Sequence, residues 1–106
     1  MRWLLNSAVL AAGQYGLYRY SPATREDLTR FVALPYVSRI GYPETAGVIK
    51  RWTGTRPTLS REVSALAPGD EAMVVRLGYR VDPALKGMAL GAPDEYWEIA
   101  RLVRVE

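Results

Sequence analysis

The sequence contains no cysteine and no histidine. Without cysteine it has no disulfides and no thiolate metal ligands, which fits a reducing, cytoplasmic compartment. Without histidine it lacks the usual general base near neutral pH, the usual zinc ligand and every Ser-His or Cys-His nucleophile pair. Any catalysis has to run on Arg, Tyr, Ser, Thr, Lys or carboxylates. Long apolar runs are missing as well. No stretch approaches the roughly 20 residues of a membrane span, so no membrane partner is expected. The apolar opening from Met1 to Ala12 is interrupted by Arg2 and Asn6 and reads as a first strand, not a secretory signal. Lysine is scarce, two against twelve arginines. That bias favours the planar fork that pairs with phosphate and stacks on bases, although genome composition or thermal adaptation also enriches arginine. A net charge of +3 is too small to specify a nucleic-acid partner.

What is present describes one ordinary domain. A chain of 106 residues holds a single modest core, expected to span 1–106. A hydrophobic fraction of 49% with 24% charged residues disfavours disorder. Arg2 to Asn6 is a short apolar strand, and its polar end, Asn6-Ser7, stands where ligands of α/β sheets gather. The commoner use of such an asparagine is to hydrogen-bond its own turn. Gly16 to Tyr20 alternates like a strand. Its tyrosines, with Tyr15, offer faces for base stacking, but more ordinarily they make half-buried cross-strand pairs. Thr24 with Asp27 forms a capping box for a helix whose buried stripe is Leu28, Phe31 and Val32 and which Pro35 stops. Tyr36 to Ile40 is extended. Thr55 to Ser60 is a connection, and Arg61 to Leu66 is expected to hold a brief strand. After the Pro68-Gly69-Asp70 turn, Glu71 to Tyr79 is the best strand and a central one, with Arg76 and Arg80 toward its far end. Asp82 to Gly91 is irregular. Tyr96 to Val105 closes the chain as a strand with Trp97, Ile99 and Val103 on one face. Strands interleaved with two helices indicate an α/β fold, a single mixed sheet flanked by helices.

The segment around which this order turns is Ser38 to Gly54. There an extended run bends through Gly41 and Pro43 into a helix of about three turns. Pro43 suits the first helical position. Thr45, Val48, Ile49 and Trp52 then make one apolar stripe, and Gly54 is the stop. The positive end of this helix faces the Gly41 turn, an arrangement that can hold a phosphate. It is equally the form of a plain strand-turn-helix connection.

Four stretches, in order and covering most of the chain, resemble the small viral ring nucleases of the type III anti-CRISPR class. They are Trp3-Leu4-Leu5-Asn6-Ser7-Ala8-Val9-Leu10, Ser38-Arg39-Ile40-Gly41-Tyr42-Pro43-Glu44-Thr45-Ala46, the Gly69-Asp70 turn before Val74-Val75, and Arg80. The resemblance implies a small α/β homodimer that binds cyclic tetra-adenylate in a pocket across its two-fold axis and cuts it to linear di-adenylate without metal or cofactor. It also implies that Asn6 and Ser7, the turn and helix start (Ser38, Arg39, Gly41, Tyr42, Pro43, Thr45), and the Arg80 and Asp82 region face the messenger. Two positions depart from the pattern. Tyr42 stands where the family has the histidine taken as general acid, and Val81-Asp82-Pro83 stands where it has a glutamate before a glycine.

In such a reaction the ribose 2′-hydroxyl is the nucleophile, and the protein aligns it, stabilises charge and protonates the leaving oxygen. Tyrosine, with a reference pKa of about 10, can donate that proton but is a weaker acid than imidazolium. Alignment alone is worth up to roughly 7–11 kcal/mol. The expectation is therefore a dimer that sequesters or slowly cleaves a cyclic oligoadenylate, with Tyr42 in the acid position. Lys50 and Lys86 are the alternative donors. An arginine-rich dimer for long nucleic acid and a non-enzymatic interaction protein are the competing expectations.

Overall fold

Trp3, Leu4 and Leu5 are all buried, so the first strand has to be covered on both faces. The computed structural model, which describes residues 1–8, 12–77 and 96–106, places it inside a five-stranded mixed sheet. In chain order the elements are β1 (Arg2–Leu5), β2 (Tyr18–Pro22), α1 (Arg25–Val32), β3 (Val37–Arg39), α2 (Pro43–Thr53), β4 (Glu71–Leu77) and β5 (Trp97–Arg104). Across the sheet the strands run β2-β5-β4-β1-β3. β1 is parallel to both β3 and β4, and β5 is antiparallel to β4 and β2.

Both helices pack on one face. Leu28, Phe31 and Val32 of α1 and Ala46, Val48 and Ile49 of α2 close over Leu4, Met73, Val75, Trp97 and Ile99. On the other face Trp3, Leu5, Ala72, Val74, Ala100 and Leu102 cluster with Leu66, which an irregular segment supplies. None of the described helices is long and apolar enough to cross a membrane.

Local chemistry accounts for the helix ends. Thr24 accepts from the Asp27 amide while the Asp27 carboxylate accepts from the Thr24 amide, the expected capping box. α1 ends with Ala33 as its cap, two residues before Pro35. α2 begins with Pro43 and ends at Gly54, whose φ of 83° is the left-handed C-terminal cap.

Several strand expectations need correction. β2 lies two residues later than Gly16 to Tyr20, because Pro22 can end an edge strand that pairs on one side only. Its Tyr18 and Tyr20 stand opposite Arg104 and Leu102, the cross-strand use. Tyr36 is outside β3, and Ile40 forms an isolated parallel bridge with Leu59. Arg61 to Leu66 is not a strand. It leaves the sheet after that bridge and crosses the face so that Leu66 can be buried. The second face of β5 is also apolar in its middle, where Ala100 and Leu102 are buried. β4 is central as expected, with Met73, Val74 and Val75 fully buried. The expected continuation of this strand through Gly78 and Tyr79 lies outside the described residues, as does the irregular stretch from Asp82 to Gly91.

Candidate functional site at the carboxyl ends of β1 and β3

Parallel pairing with Leu5 opposite Arg39 brings the carboxyl ends of β1 and β3 to the same edge. Asn6, directly after Leu5, therefore meets Gly41, two residues beyond Arg39. The Gly41 amide donates to the Asn6 side-chain oxygen at 2.8 Å, so Asn6 binds backbone 35 residues away. That bond aims the Gly41 turn into α2. Tyr42, at the N-cap of α2, makes no side-chain capping bond there.

The segment after Leu59 is stitched alongside. The Ser60 amide donates to the Ile40 carbonyl at 2.9 Å, and the Ser38 hydroxyl donates to the Thr58 carbonyl at 2.6 Å. Arg61 then donates from Nε to the Gly41 carbonyl at 3.2 Å, with its guanidinium 5.7 Å from the centre of the Tyr42 ring, within cation–π range. A Cβ on Gly41 would lie 3.1 Å from Arg61 Cγ. A side chain there would require Arg61 to give by a few tenths of an ångström.

A cavity of about 360 Å³ opens between these parts, lined by Leu5 to Ser7, Arg39, Gly41, Tyr42 and Ser60 to Ser64. Its most constrained cation is Arg39, whose side chain is only 19% exposed. The Arg39 guanidinium lies 5.2 Å from the Trp3 ring centre. One Nη donates to the Ser38 carbonyl at 3.1 Å, and the other is 3.3 Å from the carboxylate of Glu62, itself 78% exposed. Arg39 Nε is buried and finds no acceptor among the described residues. A surface partner such as Glu62 contributes about 0–1 kcal/mol, and an unmet buried donor carries a desolvation penalty of about 1–3 kcal/mol. The arrangement therefore favours an incoming anion that can satisfy both.

Trp3, which lies against Arg39, is itself anchored. Its indole N–H donates to Asp70 at 3.2 Å, as does the Ala67 amide at 2.9 Å, and the N-terminal ammonium pairs with the same carboxylate at 2.8 Å. Burial would raise the Asp70 carboxyl, but the ammonium, the Ala67 amide and the Trp3 indole together hold it below the ordinary aspartate range.

Of the residues singled out in the sequence, Asn6, Ser7, Arg39, Gly41 and Tyr42 are brought together on this cavity. Ser38 and Thr45 are buried, and neither they nor Pro43 line it. Arg80, Asp82 and Lys86 lie outside the described residues, as do Val81, Pro83, Val9 and Leu10. Arg61 and Glu62 were missed. Their only sequence signal is a charged pair directly after a polar, proline-containing connection.

B116 of Sulfolobus turreted icosahedral virus has a solved structure that matches with a TM-score of 0.71 at 15% identity, over 97% of this chain and 98% of that one. At that identity the likeness is one of fold. No curated protein matches the chain. The family model described as STIV B116-like matches residues 2–92, a span that carries β1 to β4 and every described residue lining the cavity, so the chain belongs to the STIV B116-like family.

Proposed function

We propose that the protein captures a cyclic oligoadenylate, with cyclic tetra-adenylate the first candidate, in the cavity at the carboxyl ends of β1 and β3, and that a homodimer completes the site. The observation that carries this reading is Arg39: a largely buried guanidinium whose Nε finds no acceptor among the described residues, set in a cavity that also holds Tyr42 and Arg61. Buried cation and aromatic face together suit a ligand of phosphates and bases. The resemblance of Ser38 to Ala46 to the ring nucleases supplies the ligand class. About 360 Å³ is near the lower end of ligand pockets and is room for a single nucleotide. A ring of four therefore calls for more surface, which a second copy related by a two-fold axis provides.

Capture dominates over turnover in this proposal. Tyr42, 44% exposed at the cavity, offers a ring face on which a base can stack. As a proton donor it replaces imidazolium with a weaker acid, so ring opening through the ribose 2′-hydroxyl is slow.

The test is a calorimetric titration of cyclic tetra- and hexa-adenylate, linear oligoadenylates, and long RNA and DNA, with sedimentation of the same samples. The expected result is a dimer that prefers rings, with Arg39→Gln weakening ring affinity by about 1.5–3 kcal/mol as one charge-assisted hydrogen bond is lost. Affinity for long strands that falls steeply with salt, with no preference for rings, would overturn the reading in favour of a nucleic-acid binder. No binding at all would leave an interaction protein, and a stable monomer in the presence of ligand would remove the shared pocket.

A further inference from the structure

Beside the cavity stands a further arginine, Arg76, that neither the motif nor the cavity lining includes. On β4, Ala72 and Val74 face the same side of the sheet as Trp3 and Leu5, and the strand alternation puts Arg76 on that side too. β4 is parallel to β1 with Val74 opposite Leu5. Arg76, two residues on, therefore reaches the level that the chain after β1 reaches at Ser7. The end of β1 is thus bracketed, on one face and at one edge, by Arg39 on β3 and Arg76 on β4.

The two guanidiniums take different partners. Arg39 lies against the Trp3 ring of β1 and pairs with Glu62, whereas Arg76 pairs with Glu98 on β5, away from β1. Their backbones are already two strand spacings, about 10 Å, apart across the sheet and two residues, about 7 Å, apart along it. Arg76 resembles Arg39 in its bonding. Its pair with Glu98 is long, at 3.4 Å, its side chain is 42% exposed, and its Nε is buried with no acceptor among the described residues. Glu98 has a second donor, since the Tyr20 hydroxyl gives a hydrogen bond of 3.3 Å to its other oxygen. A carboxylate held in this way can release Arg76 and keep a partner.

We infer that Arg76 is a second anion contact of the same site, taking a phosphate of a ligand longer than one nucleotide and exchanging Glu98 for it. The inference rests on the proposed binding of cyclic oligoadenylate at the β1 and β3 ends. It extends that site across β1 to the β4–β5 side of the sheet.

The experiment titrates cyclic tetra-adenylate and adenosine monophosphate into the full chain and into Arg76→Gln, Arg76→Lys and Glu98→Gln, with the melting temperature of each protein recorded. Arg76→Gln should lower ring affinity about 10- to 100-fold, the range of a charge-assisted hydrogen bond, and leave the monophosphate unaffected because it is too short to reach. Arg76→Lys should restore part of the ring affinity. Glu98→Gln should raise ring affinity a few-fold, because the competing carboxylate charge is gone. A purely structural cross-strand pair gives a different pattern: Arg76→Gln and Glu98→Gln shift the melting temperature alike and leave ring affinity unchanged, which would overturn the inference while the proposed function stands. Failure of the unmodified chain to bind the ring would overturn both.

Discussion

The two faces of the sheet are covered by different means. On one, α1 and α2 press apolar stripes onto Leu4, Met73 and Val75, and the contact is made chiefly by buried apolar side chains. On the other, an irregular segment lies across Trp3, Leu5 and Val74, held by Leu66 and by polar anchors to single atoms: the Ser60 amide on Ile40, Arg61 on Gly41, Ala67 on Asp70 and Arg104 on the Leu66 carbonyl. The helix face derives its stability from buried area, which is non-directional. The segment face depends on directional bonds, which position groups well but contribute about 0.5–1.5 kcal/mol each. The cavity lies on the second face, where backbone and side-chain polar groups are still available to a ligand.

That contrast can be broken most severely from the helix side. Ile49→Ala should destabilise the protein by about 2–5 kcal/mol, the range for truncating a fully buried aliphatic side chain, as read by urea denaturation. An effect below 1 kcal/mol would mean that the helix face is not the main source of stability.

Next in size is a change at the cavity that should leave stability almost alone. If the proposed function holds, Tyr42→His places an imidazole at the helix start, and single-turnover cleavage of a labelled cyclic tetra-adenylate should rise about 10²-fold, equivalent to about 2.7 kcal/mol of barrier. Chromatography of the products over time measures it. Weaker ring binding with no product would instead assign Tyr42 to stacking alone, and rapid cleavage by the unmodified chain would show that another group donates the proton.

Asp70 tests the anchors. Asp70→Ala strips the buried Trp3 indole of its acceptor and should cost about 1–3 kcal/mol at neutral pH. The Asp70 carboxyl is held below its ordinary value, so its contribution is fully present above the unfolded-state pKa, about 3.9. That contribution is lost as pH falls through the lower folded-state value. The stability gap between Asp70→Ala and the parent chain should therefore shrink in acid. Urea unfolding of both proteins at pH 7 and pH 3 checks it, and a gap independent of pH would place the effect in packing rather than charge.

The smallest expected loss is Asn6→Ala, about 0.5–1.5 kcal/mol for one neutral hydrogen bond. Because that bond aims the Gly41 turn, ring affinity should fall along with the stability. Full affinity would show that the turn is positioned without it.

Local chemistry determined much of this molecule before any tertiary contact. The Thr24–Asp27 capping box, Pro43 at a helix start, Gly54 at its end and the apolar run through Val74 and Val75 are each decided by sterics and hydrogen bonds within a few residues, and each is where the sequence indicates. The polar positions at the end of β1 and at the Gly41 turn were legible for the same reason, since strand ends and helix starts are local events. Tertiary structure alone decided that these two ends meet. The bond between Asn6 and Gly41 spans 35 residues and exists because β1 and β3 pair in parallel. Arg61 could not be assigned to the cavity from its neighbours, because a parallel bridge between Ile40 and Leu59 and the burial of Leu66 route that segment over the sheet face rather than into a strand. Arg76 is the same case. Its side of the strand is a matter of alternation, but its place beside the cavity depends on which strand lies next to β1, and strand order is set by how the whole core closes.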